Sequence, residues 1–343
     1  MRTKLLLIIV TIGVGLSSPA LGDNAGLGIS GAVDLYGGFG KNGPSQFDVL
    51  REAELIVYSP ADYLFDGRLG MAAHLEGGDY FFELHEAFLS STKLIPRSRI
   101  KAGQFFLGVG RLNQIHRHDW AFITAPKSHT RFFDQEGVLD VGVEFGTLFP
   151  LPFFLDLTVG VTSGRKYGHV HGAGSNPRVP THYLRLVTYA DLANSSGFQV
   201  GLNYLGRVAN DGTKKLMLGL DLVGKWRDNQ RLAFLLQSEA WYRVETPPGN
   251  AAEKEFSIYL YPQYGFTDTL YLGLRGDLLV NMNASEVDHN IVPTLSWKPS
   301  EFTTFRAAFN FQGTRRAGVV TAAANYAELQ AIFLLGAHPA HVF

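Results

Sequence analysis

The chain has 343 residues, 38 glycines, 25 phenylalanines, no cysteine and a formal net charge of −1. The near-neutral charge gives no reason to expect a nucleic-acid partner, and the lack of cysteine excludes a disulfide scaffold and thiolate metal sites. No linker or low-complexity segment divides the sequence, so one domain is the simpler expectation.

The first 22 residues have the layout of a cleavable secretory signal. Arg2 and Lys4 precede the apolar run 5–16, and small residues follow as far as Gly22. About twelve apolar residues cannot span roughly 30 Å of hydrocarbon as a helix, so an anchor is not expected. We therefore predict a signal peptide at 1–22 and a mature domain at 23–343 that contains no membrane-spanning helix.

The last residues, like the first, indicate a protein that is exported from the cytoplasm. Residues 326–343 alternate apolar and polar side chains and finish on Phe343. A C-terminal aromatic on such a strand is what an outer-membrane β-barrel presents to its assembly machinery. We therefore expect the outer membrane of a Gram-negative bacterium as the location, with its lipids and, through Phe343, the barrel assembly machinery as partners.

Period-two alternation is the strongest pattern in the mature chain. A strand sends successive side chains to opposite faces, and a barrel wall needs apolar side chains outside and polar ones inside. In residues 214–226 leucines occupy alternate positions, opposite Asp221 and Lys225. The same split recurs in residues 65–76, 155–162, 270–278 and 304–311. A soluble β-sandwich also alternates, but these strands reach the roughly 9–11 residues that a tilted membrane strand requires.

Sixteen segments qualify as strands, which predicts an all-β, transmembrane, antiparallel up-and-down barrel. Their bounds are approximately 29–40, 49–59, 64–77, 80–91, 97–109, 137–148, 152–163, 182–191, 197–208, 214–226, 231–244, 254–265, 269–281, 289–298, 303–313 and 324–343.

The connectors are predicted to alternate strictly between short periplasmic turns and long extracellular loops. The long loops are 111–136, 165–181, 245–253 and 313–323. This asymmetry is typical of outer-membrane barrels and has no reason to occur in a soluble sandwich. Simple parity places Glu86 and Gln104 on the lipid face, so a bulge or register change is expected in the fourth and fifth strands.

A barrel of sixteen strands is wide enough to enclose a water-filled channel. The predicted function is passive diffusion of small hydrophilic solutes or ions, in which fixed charge and pore width select and no enzymatic chemistry occurs. Loop 111–136 is the candidate constriction. The candidate constriction residues are Arg111, Arg117, Asp119, Arg131, Asp134 and Glu136 on this loop and Arg68, Arg275 and Arg306 on the wall.

The whole-chain layout resembles a general Gram-negative porin. The segment Ile-Lys-Ala-Gly-Gln-Phe-Phe-Leu-Gly-Val-Gly at 100–110 is similar to the strand before the third loop in the phosphate-selective porin O and P group. The resemblance implies a homotrimer and a third loop folded into the barrel. That group draws anions through dense ladders of arginine and lysine, whereas the inward charges predicted here are mixed, with acids slightly ahead.

Histidines concentrate in or beside two of the long loops, 111–136 and 165–181. They are His116, His118, His129, His169, His171 and His182. Imidazole is a common transition-metal ligand, and a His-x-His pair on an extended segment directs both rings to the same side. If the loops meet over the pore mouth, His116, His118, His169 and His171, with Asp119 nearby, would form a zinc or copper site. A barrel that binds or takes up such a metal is therefore the alternative function, and ordinary exposed histidines are the simpler explanation.

Three other functions fit the sequence less well. An outer-membrane lipase would need a serine placed to work with a histidine, and the chain has no Gly-x-Ser-x-Gly elbow. An energy-coupled receptor needs about 22 strands and an N-terminal plug. An adhesin would carry bulky outer loops. A channel is the function that the sequence favours.

Overall fold

A computed structural model describes residues 26–41, 50–76, 79–165, 167, 174–193, 195–228 and 231–336. Three sequence predictions lie outside these residues: the signal peptide 1–22, the histidines His169 and His171, and the terminal Phe343. Among the described residues, no helix has the length and apolar character needed to cross a bilayer.

Sixteen antiparallel strands close into one barrel, in which sequence neighbours pair and the first strand pairs with the last. The strands are β1 (Gly28–Lys41), β2 (Glu52–Pro60), β3 (Asp66–Glu76), β4 (Asp79–Ser91), β5 (Ser98–Phe106), β6 (Leu139–Leu148), β7 (Phe154–Thr162), β8 (Val179–Leu192), β9 (Ser196–Val208), β10 (Lys214–Asp228), β11 (Arg231–Thr246), β12 (Glu253–Gly265), β13 (Leu270–Asn281), β14 (Glu286–Ser300), β15 (Thr303–Arg316) and β16 (Val319–Gly336). The predicted strand number and all-β class are confirmed. Closure pairs every strand on both sides, which satisfies the backbone hydrogen bonds as a membrane requires.

The outer face of the barrel is an apolar belt. Leu216, Leu218 and Leu220 are 40 to 49% exposed, whereas Asp221 on the same strand is completely buried. Large aromatic side chains near the strand ends are also about half exposed: Tyr264, Trp297 and Phe302. An apolar belt edged by aromatic residues is the outer surface that a transmembrane barrel presents to lipid.

The connectors do not alternate as strictly as predicted. We call the end where odd-numbered strands finish the loop end, and the opposite end the turn end. At the loop end only residues 317 and 318 separate β15 from β16, and Gly313 pairs with Ala323, so the long loop expected at 313–323 is wrong. Beyond the apolar belt a strand faces water outside the barrel, so its alternation fades while its backbone pairing continues.

The irregularity expected in the fourth strand is present. The register of β3 and β4 shifts between Gly70 and Met71, which leaves His85 as an extra residue in β4. As a result, His85 and Glu86 are consecutive and both buried, at 1% and 7% exposure. Gln104 in β5 is buried too, and its amide donates hydrogen bonds to two backbone carbonyl oxygens at the bulge. Simple parity misplaced Glu86 because the bulge shifts it to the inner face.

Gly103 in β5 is expected to tolerate no side chain. Its φ is +134°, and a Cβ there would lie 2.6 Å from the Cα of Phe88 and collide with the carbonyl oxygen of Ala87. We predict that Gly103→Ala lowers the free energy of unfolding by at least about 1–3 kcal/mol. Guanidinium unfolding of the purified barrel measures this. Gly276→Ala is the control, since its Cβ would meet nothing within 4 Å, and equal midpoints for the two variants would contradict the prediction.

Candidate functional site

The segment between β5 and β6, residues 107–138, lies inside the barrel, and we call it the inner loop. It contains two 3₁₀ turns, Leu112–Gln114 and Arg117–Asp119, and the helix α1, Lys127–Phe133. Gly110, with a φ of +67°, precedes the first 3₁₀ turn, and Pro126 precedes α1. The inner loop contacts inward-facing side chains on opposite sides of the barrel, so it crosses the interior.

One side of the inner loop packs against apolar side chains of β8 to β13. Phe133 meets Trp241 with ring centroids 4.8 Å apart, and Phe122 meets Tyr261 at 5.3 Å. Trp120 is completely buried in the same packing. Buried aromatic side chains of this kind each remove about 150–250 Å² from water, which anchors the loop strongly. The interior is therefore narrower and more apolar than the strand number alone predicts, because the inner loop fills much of it.

The opposite side of the inner loop meets acidic side chains of β2 and β4. Arg117 lies 2.7 Å from Glu52 of β2 and 2.8 Å from Glu136 of the inner loop. Arg68 of β3 lies 2.6 Å from Glu86 of β4. Three predicted constriction residues, Arg68, Arg117 and Glu136, thus come together in ion pairs. Their carboxylate partners on the wall were not among the predicted site residues.

His116 and His118 are buried in this acidic region. His116 Nδ1 lies 2.7 Å from Glu54 Oε1, and His116 Nε2 lies 3.1 Å from Glu86 Oε2. His118 Nδ1 lies 3.1 Å from the other Glu54 oxygen. Burial by itself lowers the pKa of His116, but Glu54 and Glu86 outweigh it and hold that pKa well above its ordinary value. Both rings therefore face the barrel wall.

The other loop histidines have different surroundings. His129 in α1 packs between Trp120 and Phe133, with centroid distances of 5.0 and 5.7 Å, and burial lowers its pKa to about 3 while Asp134 acts in the opposite direction. His182 in β8 lies 3.1 Å from the Tyr204 hydroxyl. The four-histidine metal site stays a prediction, because two of its members lie outside the described residues: His169 and His171.

The two remaining wall arginines lie on the side formed by β13 to β16. Arg275 Nε is 3.1 Å from Asp277 Oδ1, and the guanidinium donates a hydrogen bond to the carbonyl oxygen of Thr124 in the inner loop. Arg306 donates to Gln330 Oε1 at 2.8 Å. Arg275 therefore holds the inner loop from this side, whereas Arg306 bonds within the wall.

The other predicted loop charges have contacts either with the wall or within the loop itself. Their contacts are 2.7 to 3.4 Å long and join Arg111 (backbone N–H) with Glu239, Asp119 with His118, Arg131 with Glu255, and Asp134 with the backbone N–H of Gln135. The Arg111 and Arg131 contacts hold the inner loop to β11 and β12, whereas the Asp119 and Asp134 contacts lie within the loop.

A polar cavity of about 400 Å³ remains between the inner loop and the wall. Its charged lining residues are Arg51, Arg117, Lys127, Arg275, Asp277 and Glu328. Four of these side chains are basic and two are acidic. Sequence reasoning did not single out Arg51 and Lys127, because no local pattern tells which loop residues return into a barrel.

Comparisons with known proteins agree with this architecture. No family model matches the chain. An uncharacterized protein of Aquifex aeolicus is 25% identical over 339 residues, covering 86% of this chain and 70% of that protein. Among solved structures, the anion-selective porin from Comamonas acidovorans has a TM-score of 0.63 at 12% identity, covering 91% of this chain and all of that one.

Two further structures are equally similar. The outer-membrane channel DcaP of Acinetobacter baumannii has a TM-score of 0.63 at 12% identity, covering 93% of this chain and all of that one. OprB of Pseudomonas putida has a TM-score of 0.63 at 10% identity, covering 91% of this chain and 94% of that one. The fold of this chain is therefore that of the outer-membrane porin barrels.

Proposed function

We propose that the chain is a passive outer-membrane channel whose permeation path passes through the polar cavity beside the inner loop. The observation that carries the proposal is the contrast between the two sides of that loop. The β8–β13 side holds the two large apolar clusters of the interior. The β13–β16 side has a smaller apolar cluster around Ile123 and keeps a cavity lined by charged groups. The anion-selective porin and the DcaP channel have the same fold, which supports a channel function.

The solutes that fit this path are small and hydrophilic, with a modest preference for anions. The cavity lining carries two more basic than acidic side chains. Because Arg51 and Arg117 are ion-paired with carboxylates outside this lining, Lys127 is the basic side chain on which the preference depends. Fixed charge at a narrow point raises the local concentration of the opposite ion. Chloride is therefore expected to pass more readily than potassium.

A homotrimer in the outer membrane is the proposed assembly. OmpT of Vibrio cholerae, a barrel with a TM-score of 0.60 to this chain, is described in a trimer form. Light scattering of the detergent-purified protein tests the assembly, and a monomeric mass would contradict it.

A planar-bilayer recording in a KCl gradient tests the channel itself. We expect discrete conductance steps and a reversal potential on the anion-selective side. Liposome swelling with sugars of graded size would then report the width of the path. Bilayers and liposomes that behave as if no protein had been added would contradict the proposed function.

Lys127 provides a direct test of the path. It lies at the start of α1 and lines the cavity, so Lys127→Gln removes one charge from the loop without touching the strands. A unit charge about 5 Å from a passing ion contributes about 0.8 kcal/mol in water. We therefore predict that the chloride-to-potassium permeability ratio falls roughly two- to fourfold, as measured by reversal potential.

Arg131→Gln is the matched control for this variant. Arg131 lies on the same helix but pairs with Glu255 and is not among the residues that line the cavity. An equal shift in the two variants would mean that ions do not pass beside Lys127.

A further inference from the structure

We propose that Glu54, His85 and His116 form a binding site for a divalent transition-metal ion, with zinc as the best fit. Ligand atoms of these three residues all lie within 4.8 Å of one another. All three side chains are buried, with exposures between 1% and 8%. Glu54 belongs to β2, His85 to β4 and His116 to the inner loop, so the site joins the wall to the loop.

The bulge in β4 supports a site at this point. It makes Glu86 face inward directly after His85, instead of outward as strand parity would require. Bulges are frequent next to functional sites, where they redirect a side chain. Here the redirected Glu86 lies 3.1 Å from His116 Nε2.

This contact orients the His116 ring as a metal site requires. A metal-binding histidine commonly donates its second ring N–H to a carboxylate, which fixes the tautomer and leaves the other nitrogen for the ion. The Arg68 guanidinium, which pairs with Glu86, also lies 3.1 Å from Nε2. In the tautomer that donates Nε2–H to Glu86, the nitrogen left for the ion is Nδ1, which lies 2.7 Å from Glu54 Oε1. Two ligands of a tetrahedral zinc ion are about 3.4 Å apart, given bond lengths of about 2.0–2.1 Å. Binding therefore needs these atoms to separate by less than about 1 Å.

The charge of the surroundings also favours a cation. Three carboxylates, Glu52, Glu86 and Glu136, pair with two guanidinium groups, those of Arg117 and Arg68. A fourth carboxylate, Glu54, contacts the imidazoles of His116 and His118. Asp119, 3.4 Å from His118, adds to the negative side. Metal binding requires the imidazoles in their neutral form. The four glutamates then exceed the two guanidinium groups by two negative charges, which one divalent cation balances.

The ligand set identifies the class of ion. Two imidazoles and one carboxylate suit zinc or copper(II), and they leave one tetrahedral position for water. Calcium and magnesium prefer sites built from oxygen ligands. Because the ligands come from both wall and loop, a bound ion would clamp the inner loop at its acidic side.

Calorimetric titration of zinc chloride into the EDTA-treated barrel in detergent tests the site. We expect one zinc ion per chain, and at least tenfold weaker binding in His116→Ala. Zinc binding should be weakened as much in His85→Ala. His85 also belongs to a neighbouring triad with His74 and Glu83, so this variant alone does not tell the two triads apart. His74→Ala is therefore the matched control and should bind like the parent protein. Heat-modifiable migration on gels confirms that each variant is a folded barrel.

Copper(II) electron paramagnetic resonance gives an independent reading, with two nitrogen ligands expected in the parent protein and one in His85→Ala.

Several results would overturn the proposal: no saturable zinc binding, unchanged zinc binding in His116→Ala, or a loss of zinc binding that appears in His74→Ala instead. A loss in the double variant His169→Ala/His171→Ala with His85→Ala unaffected would place the metal at other loop histidines and also overturn it. None of these measurements depends on conductance, so they stand apart from the test of the channel.

Discussion

Deleting residues 115–132 is expected to raise single-channel conductance several-fold. The deletion removes the second 3₁₀ turn and most of α1, and with them the completely buried Trp120 and Phe122. A sixteen-stranded wall without a loop across it leaves a wide aqueous channel. The strand pairing that closes the barrel involves none of the deleted residues, so the wall is expected to assemble.

The measurement is a comparison of single-channel conductance in planar bilayers, with a short Gly-Ser linker replacing the deleted residues. Liposome swelling should also extend to larger sugars. Replacing the connector 247–252 by a linker of the same kind is the matched control, because it lies at the loop end between β11 and β12. Conductance that is the same in the deletion variant and the parent protein would refute the role of the inner loop as the constriction.

Acidification is expected to loosen the inner loop through His129. Burial lowers the pKa of this imidazole to about 3, and its Nε2 has no hydrogen-bond partner among the described residues. When the loop leaves its packed position, His129 meets water and its pKa returns to about 6.5. The released state therefore binds more protons between these two pKa values, and the packed state loses stability as the pH falls below 6.5.

At pH 5 this difference amounts to about 2 kcal/mol, a roughly thirtyfold change in the equilibrium between packed and released loop. We expect open-channel noise and mean conductance to rise between pH 7.5 and pH 5, together with acrylamide quenching of the adjacent Trp120. His129→Leu keeps the apolar packing and removes the titrating group, so it should lack this increase. Carboxylates elsewhere in the barrel titrate in both proteins, and an identical pH response in the two would rule out His129 as the cause.

The wall of this barrel was predictable because each strand meets two different solvents. Lipid outside and a polar interior impose a period of two on every strand, as in the leucines opposite Asp221, and this local signal is enough to count strands. The bulge in β4 was predictable too, because a charged Glu86 on the lipid face would contradict the alternation. The same signal failed at 313–323, where the strands extend beyond the apolar belt and no longer separate lipid from water.

The candidate site could be predicted only in part. Loop 111–136 and its charged residues were identified from the sequence, but the partners of those charges were not. Contacts such as Arg117 with Glu52 and Arg131 with Glu255 join residues 65 and 124 positions apart. His85 gave no signal as a site residue. Its importance depends on a neighbour, His116, that reaches it only after the inner loop has folded back.

The sequence by itself determined the closed, membrane-facing sheet, since the alternation that defines it is a property of adjacent residues in contact with different solvents. Only the tertiary structure decided what the barrel contains. The inner loop settles on the apolar side chains of β8 to β13 and leaves its polar cavity toward β13 to β16. That choice depends on the shapes and charges of strands distant in the chain, which no local pattern records.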